Sequence, residues 1–400
     1  GAVVGLCAAL FAAGFVAARL VEPHPSAAPP EAYGAAVRAA LAEQDAVDRA
    51  ERTAAALQQL GPENVAEAAA VYDRMINMLD EADIRPFASA WARFDPAGAL
   101  DHALHWRFRE KQQFGASAAI EGWAMQDPAA ALQAYEETSA NFPSLADDLF
   151  LNVLTGWLYS GEGGLVEYIA DIRGHKQDIA IARVVAKLIR SSGTDATMSW
   201  VESIIGDDAY DITFKKRVFR RGIRMVGIWD PKLAAAWAME HVNEPYAIDA
   251  PRIVAGRWAS EDGRAAMEWV RKLPREEVPE LAVREAFRGW LASDRAGAVA
   301  WLESEAPTAF DEPAIIFYAK DLSKREPDEA IGWCERLLDS KRRLRCLESA
   351  AAMWYQRDPD AAEKWLEQSP LDEEARRTAR TPPEEIKQRK RRSRPGLPSG

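Results

Sequence analysis

The stretch Trp354-Tyr355-Gln356-Arg357-Asp358-Pro359-Asp360-Ala361-Ala362-Glu363-Lys364-Trp365 decides the fold, because its frame recurs along the chain. A large apolar residue leads, Asp follows four later, Ala four after that, and Trp three further on. The frame reads again at Trp258-Asp262-Ala266-Trp269 and Trp290-Asp294-Ala298-Trp301. Val226-Asp230-Ala234-Trp237 and Leu322-Glu326-Ala330-Trp333 fit it too, so the lead positions 226, 258, 290, 322 and 354 are spaced by 32. A fixed period of this length marks a repeat protein, in which each unit buries its apolar face against its neighbours. Upstream, Trp91-Asp95-Ala99 and Trp123-Asp127-Ala131 keep the frame, while the units led by Trp157 and Ile189 are degenerate. The upstream intervals are 32, 34, 32 and 37, which gives nine units and an insertion of five residues between Ile189 and Val226.

Each position of the frame has a physical role. Asp before Pro, as at Asp95-Pro96, Asp127-Pro128, Asp230-Pro231 and Asp358-Pro359, supplies an N-cap oxygen and then a first helical residue with preset φ. Ala at Asp+4 and Trp at Asp+7 share one helical face, which is expected to be core. Trp holds the last position in six consecutive units, at Trp200, Trp237, Trp269, Trp301, Trp333 and Trp365. Burying one indole removes about 200 Å² from water, so these six are expected as a ladder of indoles through the core. A short polar stretch and a second helix follow each Trp, making every unit an antiparallel helix pair.

The tract Asp-Pro-x-x-Ala-x-x-Trp, whole at Asp358 to Trp365, resembles the opening of a tetratricopeptide repeat over about residues 85 to 370. The Leu-Gly and Tyr of that consensus do not follow Trp365, and the period is 32 rather than 34, so a HEAT-like stack fits equally. The resemblance implies an all-α chain, a right-handed α-solenoid of about nine antiparallel helix pairs that binds partners on its concave surface. It transfers no catalytic residue.

Composition agrees with a helical array, being 48% hydrophobic with 62 Asp/Glu against 50 Lys/Arg, a net charge of -12. The segment 371–400 is net +4, which leaves -16 on residues 1–370 and argues against general nucleic-acid binding. The three cysteines, Cys7, Cys334 and Cys346, form no CxxC and no zinc spacing. Cys334 beside Trp333 is expected as inert packing, with a Cys334–Cys346 disulfide as the alternative in an oxidising compartment.

Gly1 to Ala18 is an uncharged apolar run ended by Arg19, expected as a retained membrane anchor within residues 1–20, with a cleaved signal peptide as the alternative. Both place the remainder at or beyond a membrane, on the periplasmic or extracytoplasmic side, with a cytoplasmic orientation left open. An Ala/Pro-rich linker, 21–30, follows. Glu31 to Leu60 reads as one long helix with Tyr33, Val37, Leu41, Val47, Leu57 and Leu60 near one stripe. Gly61-Pro62 stops it and Glu63 to Leu79 returns, giving a helical hairpin over 31–84 that caps the solenoid of 85–370. A coiled-coil dimerisation segment is the alternative. Residues 371–400 read as a disordered basic tail, with six positive residues between Lys387 and Arg394.

No nucleophile elbow, phosphate loop or His-Glu-x-x-His occurs, and no cofactor or metal is expected. His102, three before His105 and beside Asp101, falls at the unit position later filled by Trp, so the pair reads as structural. Gly161-Glu162-Gly163-Gly164 reads as a permissive loop. Two surface features stand out. A basic amphipathic helix carries Lys216, Arg221 and Arg224 beside Asp207, Asp208 and Asp211. The position six before the lead is Arg in four consecutive units, at Arg183, Arg220, Arg252 and Arg284. Such a stripe either braces adjacent repeats through Asp/Glu pairs or holds anionic groups of a partner. The expected function is that of a membrane-anchored or exported scaffold that binds a protein or peptide and performs no catalysis. An α/α-toroid enzyme of carbohydrate or cell envelope and a structural homo-oligomer built through the N-terminal helices are the rivals.

Overall fold

The computed structural model describes residues 30–274, 280–304 and 306–381. Among these, all regular structure is helical, with 21 α-helices, two short 3-10 turns and no strand. The apolar run at 1–18 and the basic tract at 387–394 lie outside the described residues. No described helix is long and apolar enough to cross a membrane.

The chain divides into two compact units between Arg190 and Ser191. Unit 1 contains α1 (Pro30–Leu41), α2 (Ala46–Gln58), α3 (Val65–Met75), α4 (Glu81–Ala92), α5 (Pro96–Leu104), α6 (Arg109–Ala124), α7 (Pro128–Asn141), α8 (Ala146–Ser160), α9 (Leu165–Asp171) and the first part of α10 (Gly174–Ile205). Unit 2 continues through α11 (Ile212–Trp229), α12 (Pro231–Glu240), α13 (Ala250–Trp258), α14 (Gly263–Lys272), α15 (Glu280–Ser293) and α16 (Arg295–Ser304). It ends with α17 (Glu312–Leu322), α18 (Pro327–Glu335), α19 (Ser340–Arg357), α20 (Pro359–Gln368) and α21 (Glu373–Arg380).

The Asp of the frame caps helices as expected. Asp95, Asp127, Asp230, Asp262, Asp294 and Asp358 each accept a backbone N–H three residues on, at 2.9 to 3.0 Å. The structure adds a reason for the lead residue: the indole Nε1 of Trp91 donates to the second oxygen of Asp95 at 3.2 Å. In this unit, and more weakly at Trp290 and Asp294, the lead side chain holds the capping carboxylate that opens the next helix. In the degenerate units led by Trp157 and Ile189, Gly takes the place of Asp four after the lead, Gly161 at φ 73° and Gly193 at φ 81°. Only a residue without Cβ adopts that backbone cheaply, so these two turns are made by chain reversal rather than by a cap. Gly193 breaks α10 into two helices within one run.

In unit 1 the second helices of successive pairs pack in a row, α4 on α6 and α6 on α8, with α5 and α7 lodged between their neighbours. Unit 2 repeats the plan, α11 on α13, α15, α17 and α19 in turn, with α12, α14, α16, α18 and α20 beside them. Close approach within a row demands small residues. A Cβ on Gly156 would lie 2.3 Å from the Glu121 carbonyl, and one on Gly289 2.6 Å from that of Gly256.

Four expectations change. Glu31 to Leu60 is two helices, because Asp45 turns its carboxylate onto the amides of Val47 and Asp48 and starts α2 afresh. Val47 consequently points outward at 74% exposure, while Tyr33, Val37, Leu41, Leu57 and Leu60 are buried. The boundary expected at 84/85 falls inside α4. The stretch after Leu371 is ordered through α21: Asp372 caps it, Arg380 forks onto Glu363, and Leu371 and Ala379 are buried. Finally, the indoles do not form one ladder. Trp237, Trp269 and Trp301 are buried, but Trp200, Trp333 and Trp365 are half-buried. Three pair with the lead Trp of their own unit, Trp258 with Trp269 at 6.2 Å, Trp290 with Trp301 at 5.9 Å and Trp354 with Trp365 at 6.4 Å, while Trp237 and Trp333 pack on Phe219 and Tyr318 of the preceding unit.

Candidate partner-binding faces

The four arginines six before the lead all lie on second helices, the elements that pack in rows. Their surroundings differ. Arg284 pairs with Glu285 on its own helix at 3.1 Å, and Arg288 reaches the same carboxylate at 2.7 Å. Burial works to raise the Glu285 carboxyl, but these two guanidinium partners outweigh it and hold it below the usual range. Arg183, Arg220 and Arg252 have no hydrogen bond or ion pair to any described residue. Arg183 is nonetheless acted on at longer range by Glu121 of α6 and Asp148 of α8.

Of the remaining basic candidates, Lys216 pairs with Asp249 at 3.5 Å, Arg221 is half-buried, and Arg224 is exposed. The row in unit 1 contains one more member, to which the four-unit register was not extended. Arg85 is six before the lead Trp91 and sits on α4, the first helix of that row. Its Nη2 donates to Glu121 Oε2 at 3.2 Å, across to α6.

Glu121 is the centre of a cluster. Burial lowers the Arg183 guanidinium from its ordinary value, with Glu121 and Asp148 opposing and Arg190 and Arg85 adding to the effect. Lys187 is lowered in the same way, by burial first and then by Arg183, Arg190 and Arg85 against Glu121. Cations from α4 and α10 thus act on one another across α6, although 98 residues separate Arg85 from Arg183. Arg183 and Lys187 are thus partly desolvated cations beside a carboxylate, where water screens their charges less than at an open surface.

The histidines are structural. Asp73 Oδ1 accepts from Trp106 Nε1 at 2.9 Å and lies 3.0 Å from His102 Nε2, and the His102 ring packs against Trp91 and Trp106. His105 bonds its own helix at the Asp101 carbonyl, 2.7 Å away. No group of three metal-binding side chains occurs among the described residues. A second polar chain, not legible in the sequence, runs from Glu202 through His241 to Tyr246, with Nε2 2.8 Å from the carboxylate and Nδ1 2.9 Å from the phenol. Burial, Glu244 and Glu202 push the Tyr246 phenol up to about 12, so it keeps its proton and serves as a clamp on Phe219 rather than as a nucleophile.

Cys334 and Cys346 form a disulfide with Cα atoms 5.4 Å apart, joining α18 to α19. Inert packing, the first expectation for Cys334, is replaced by a covalent tie within one helix pair. No family model, no curated protein and no solved structure matches the chain.

Proposed function

We propose that this chain is a membrane-anchored or exported α-solenoid scaffold that binds an acidic segment of another protein along its rows of second helices. In this reading each row is the concave wall of the solenoid, and no catalysis takes place. One observation carries it. In a chain with 62 acidic residues to 50 basic, Arg183, Arg220 and Arg252 keep one register position on the rows and make no hydrogen bond or close ion pair with a described residue, although Glu121 and Asp148 act on Arg183 at longer range. Cations that make no close ion pair on a packed face are suited to an outside anion.

Further support comes from charge and chemistry. An acidic body repels nucleic acid and confines anion capture to these local faces. The Cys334–Cys346 disulfide suits an oxidising compartment, in line with an export or anchor role for the apolar run at 1–18.

The test is site-specific photo-crosslinking in the native host, with the photoreactive residue placed at exposed Arg224, next to the intact or Gln-substituted Arg183, Arg220, Arg252 and Arg284. The scaffold reading predicts one reproducible partner, crosslinked through an acidic segment and lost in the quadruple variant while circular dichroism stays unchanged. A partner captured equally by both forms, or crosslinks only to a second copy of this chain, would overturn it.

A further inference from the structure

Away from the arginine positions, α15, α17 and α19 enclose a cleft of about 470 Å³. Its floor is apolar, formed by Ile316, Ala350 and the Cys334–Cys346 disulfide, which fixes α18 against α19. Its rim carries Lys320, Arg342 and Arg345. Arg342 is held in place: it pairs with Glu280, and its Nη1 lies 3.5 Å from Glu312, a carboxylate only 3% exposed whose Oε1 accepts the Asp339 amide at 2.7 Å. Lys320 and Arg345 have no hydrogen bond from their charged ends and no ion pair to any described residue. Three cations face two carboxylates, one of them already committed to a backbone amide, so the rim keeps a positive surplus in an acidic chain.

The two halves of this cleft ask for different things. An inorganic anion would use the rim and leave the apolar floor wet, while a plain hydrocarbon would leave two cations facing it unanswered. One ligand chemistry satisfies both: an apolar body bearing a carboxylate. The volume lies in the range of small-molecule pockets and accommodates one large apolar residue with its neighbour. We propose that this cleft binds an apolar carboxylic acid, such as the free C-terminal residue of a peptide, with the side chain on the disulfide floor and the carboxylate between Lys320 and Arg345. Arg342, fixed by Glu280 and Glu312, supplies a preorganised third donor. The site is independent of the scaffold reading, since it needs neither a protein partner nor the arginine positions.

The experiment is calorimetric titration of the full chain with N-acetyl-phenylalanine and with a hexapeptide ending in Phe, each as free acid and as C-terminal amide. Both acids are expected to bind and both amides to bind at least about tenfold more weakly, since removing the charge leaves the rim cations unanswered. The double variant Lys320→Gln/Arg345→Gln changes only exposed, unpaired side chains and should lose about tenfold for the acids. Ser349→Trp should block the cleft outright, whereas Lys272→Gln should change nothing. A hexapeptide acid at least about tenfold tighter than the single residue assigns the site to a peptide terminus; equal affinities assign it to a free small acid. Equal binding of acid and amide, unchanged binding in the double variant, or no heat with any acid up to about 10 mM would overturn the proposal.

Discussion

In unit 1, Arg85, Arg183 and Lys187 from α4 and α10 act on Glu121, whereas in unit 2 the matching helices α11, α13 and α15 present Arg220, Arg252 and Arg284 one at a time. The register position is the same in both. What differs is the company: Glu121 and Lys187 stand two before their leads in unit 1, while Arg224, Gly256 and Arg288 stand there in unit 2. A repeat therefore fixes which face a residue occupies but not its electrostatic environment, because that depends on charges delivered by helices that are not sequence neighbours. Unit 1 gathers partly desolvated cations beside one carboxylate, and unit 2 spaces its arginines singly along a row.

The aromatic core sets the scale against which these charges are to be read. Trp237 is 1% exposed and Trp365 is half-buried, so Trp237→Ala should cost about 3–5 kcal/mol and Trp365→Ala distinctly less. Urea unfolding measures both, and equal losses would mean that burial does not rank the repeats. Next, Glu121→Gln removes the one carboxylate shared by Arg85, Arg183 and Lys187 and should destabilise unit 1 by about 2 kcal/mol. Glu285→Gln, whose partners Arg284 and Arg288 are exposed, should cost under about 1 kcal/mol. A larger loss at Glu285 than at Glu121 would reverse the contrast drawn between the units.

The same contrast has a pH signature. Lys187 releases its proton below its unfolded value of about 10.4, so between the two values the unfolded chain holds the extra proton and stability rises with pH. Lys187→Gln should flatten that rise, whereas Lys216→Gln should leave it in place. A rise that survives Lys187→Gln would assign it to another group. The smallest effect is expected at Glu348, which occupies the arginine register position in the last repeat. Burial raises its carboxyl, and Asp372 and Glu374 add to this, so its penalty is present above the folded value and disappears as pH falls through it. Glu348→Gln should stabilise the chain by about 0.5 kcal/mol at pH 7 and by nothing at pH 4. Stabilisation that persists at pH 4 would refute a charge origin.

Much of the helical plan was legible because its signals are local. Asp-Pro starts a helix wherever it stands, and Ala and Trp three apart mark its buried face. The break at Asp45 and the order of α21 were missed for a related reason: each depends on one Asp cap outside the repeat frame, and α21 also on the Arg380–Glu363 fork to a neighbouring helix. Arg85 could have been found by extending the arginine register to the first unit. Its link to Arg183 could not, since nothing in a linear pattern says that α4 and α10 influence one another. The disulfide was half legible: two cysteines on consecutive antiparallel helices across the turn at 336–339 can meet, but their depth on each helix decides whether they do.

The central claim, that the open cations receive an acidic segment, is tested most directly by fluorescence anisotropy with a labelled oligo-glutamate peptide and an oligo-lysine control. An acidic chain repels oligo-glutamate unless local cations hold it, so salt-sensitive binding of oligo-glutamate that is lost in Arg183→Gln/Arg220→Gln/Arg252→Gln is the predicted result. No binding of oligo-glutamate, or equal binding by that variant, would contradict the account.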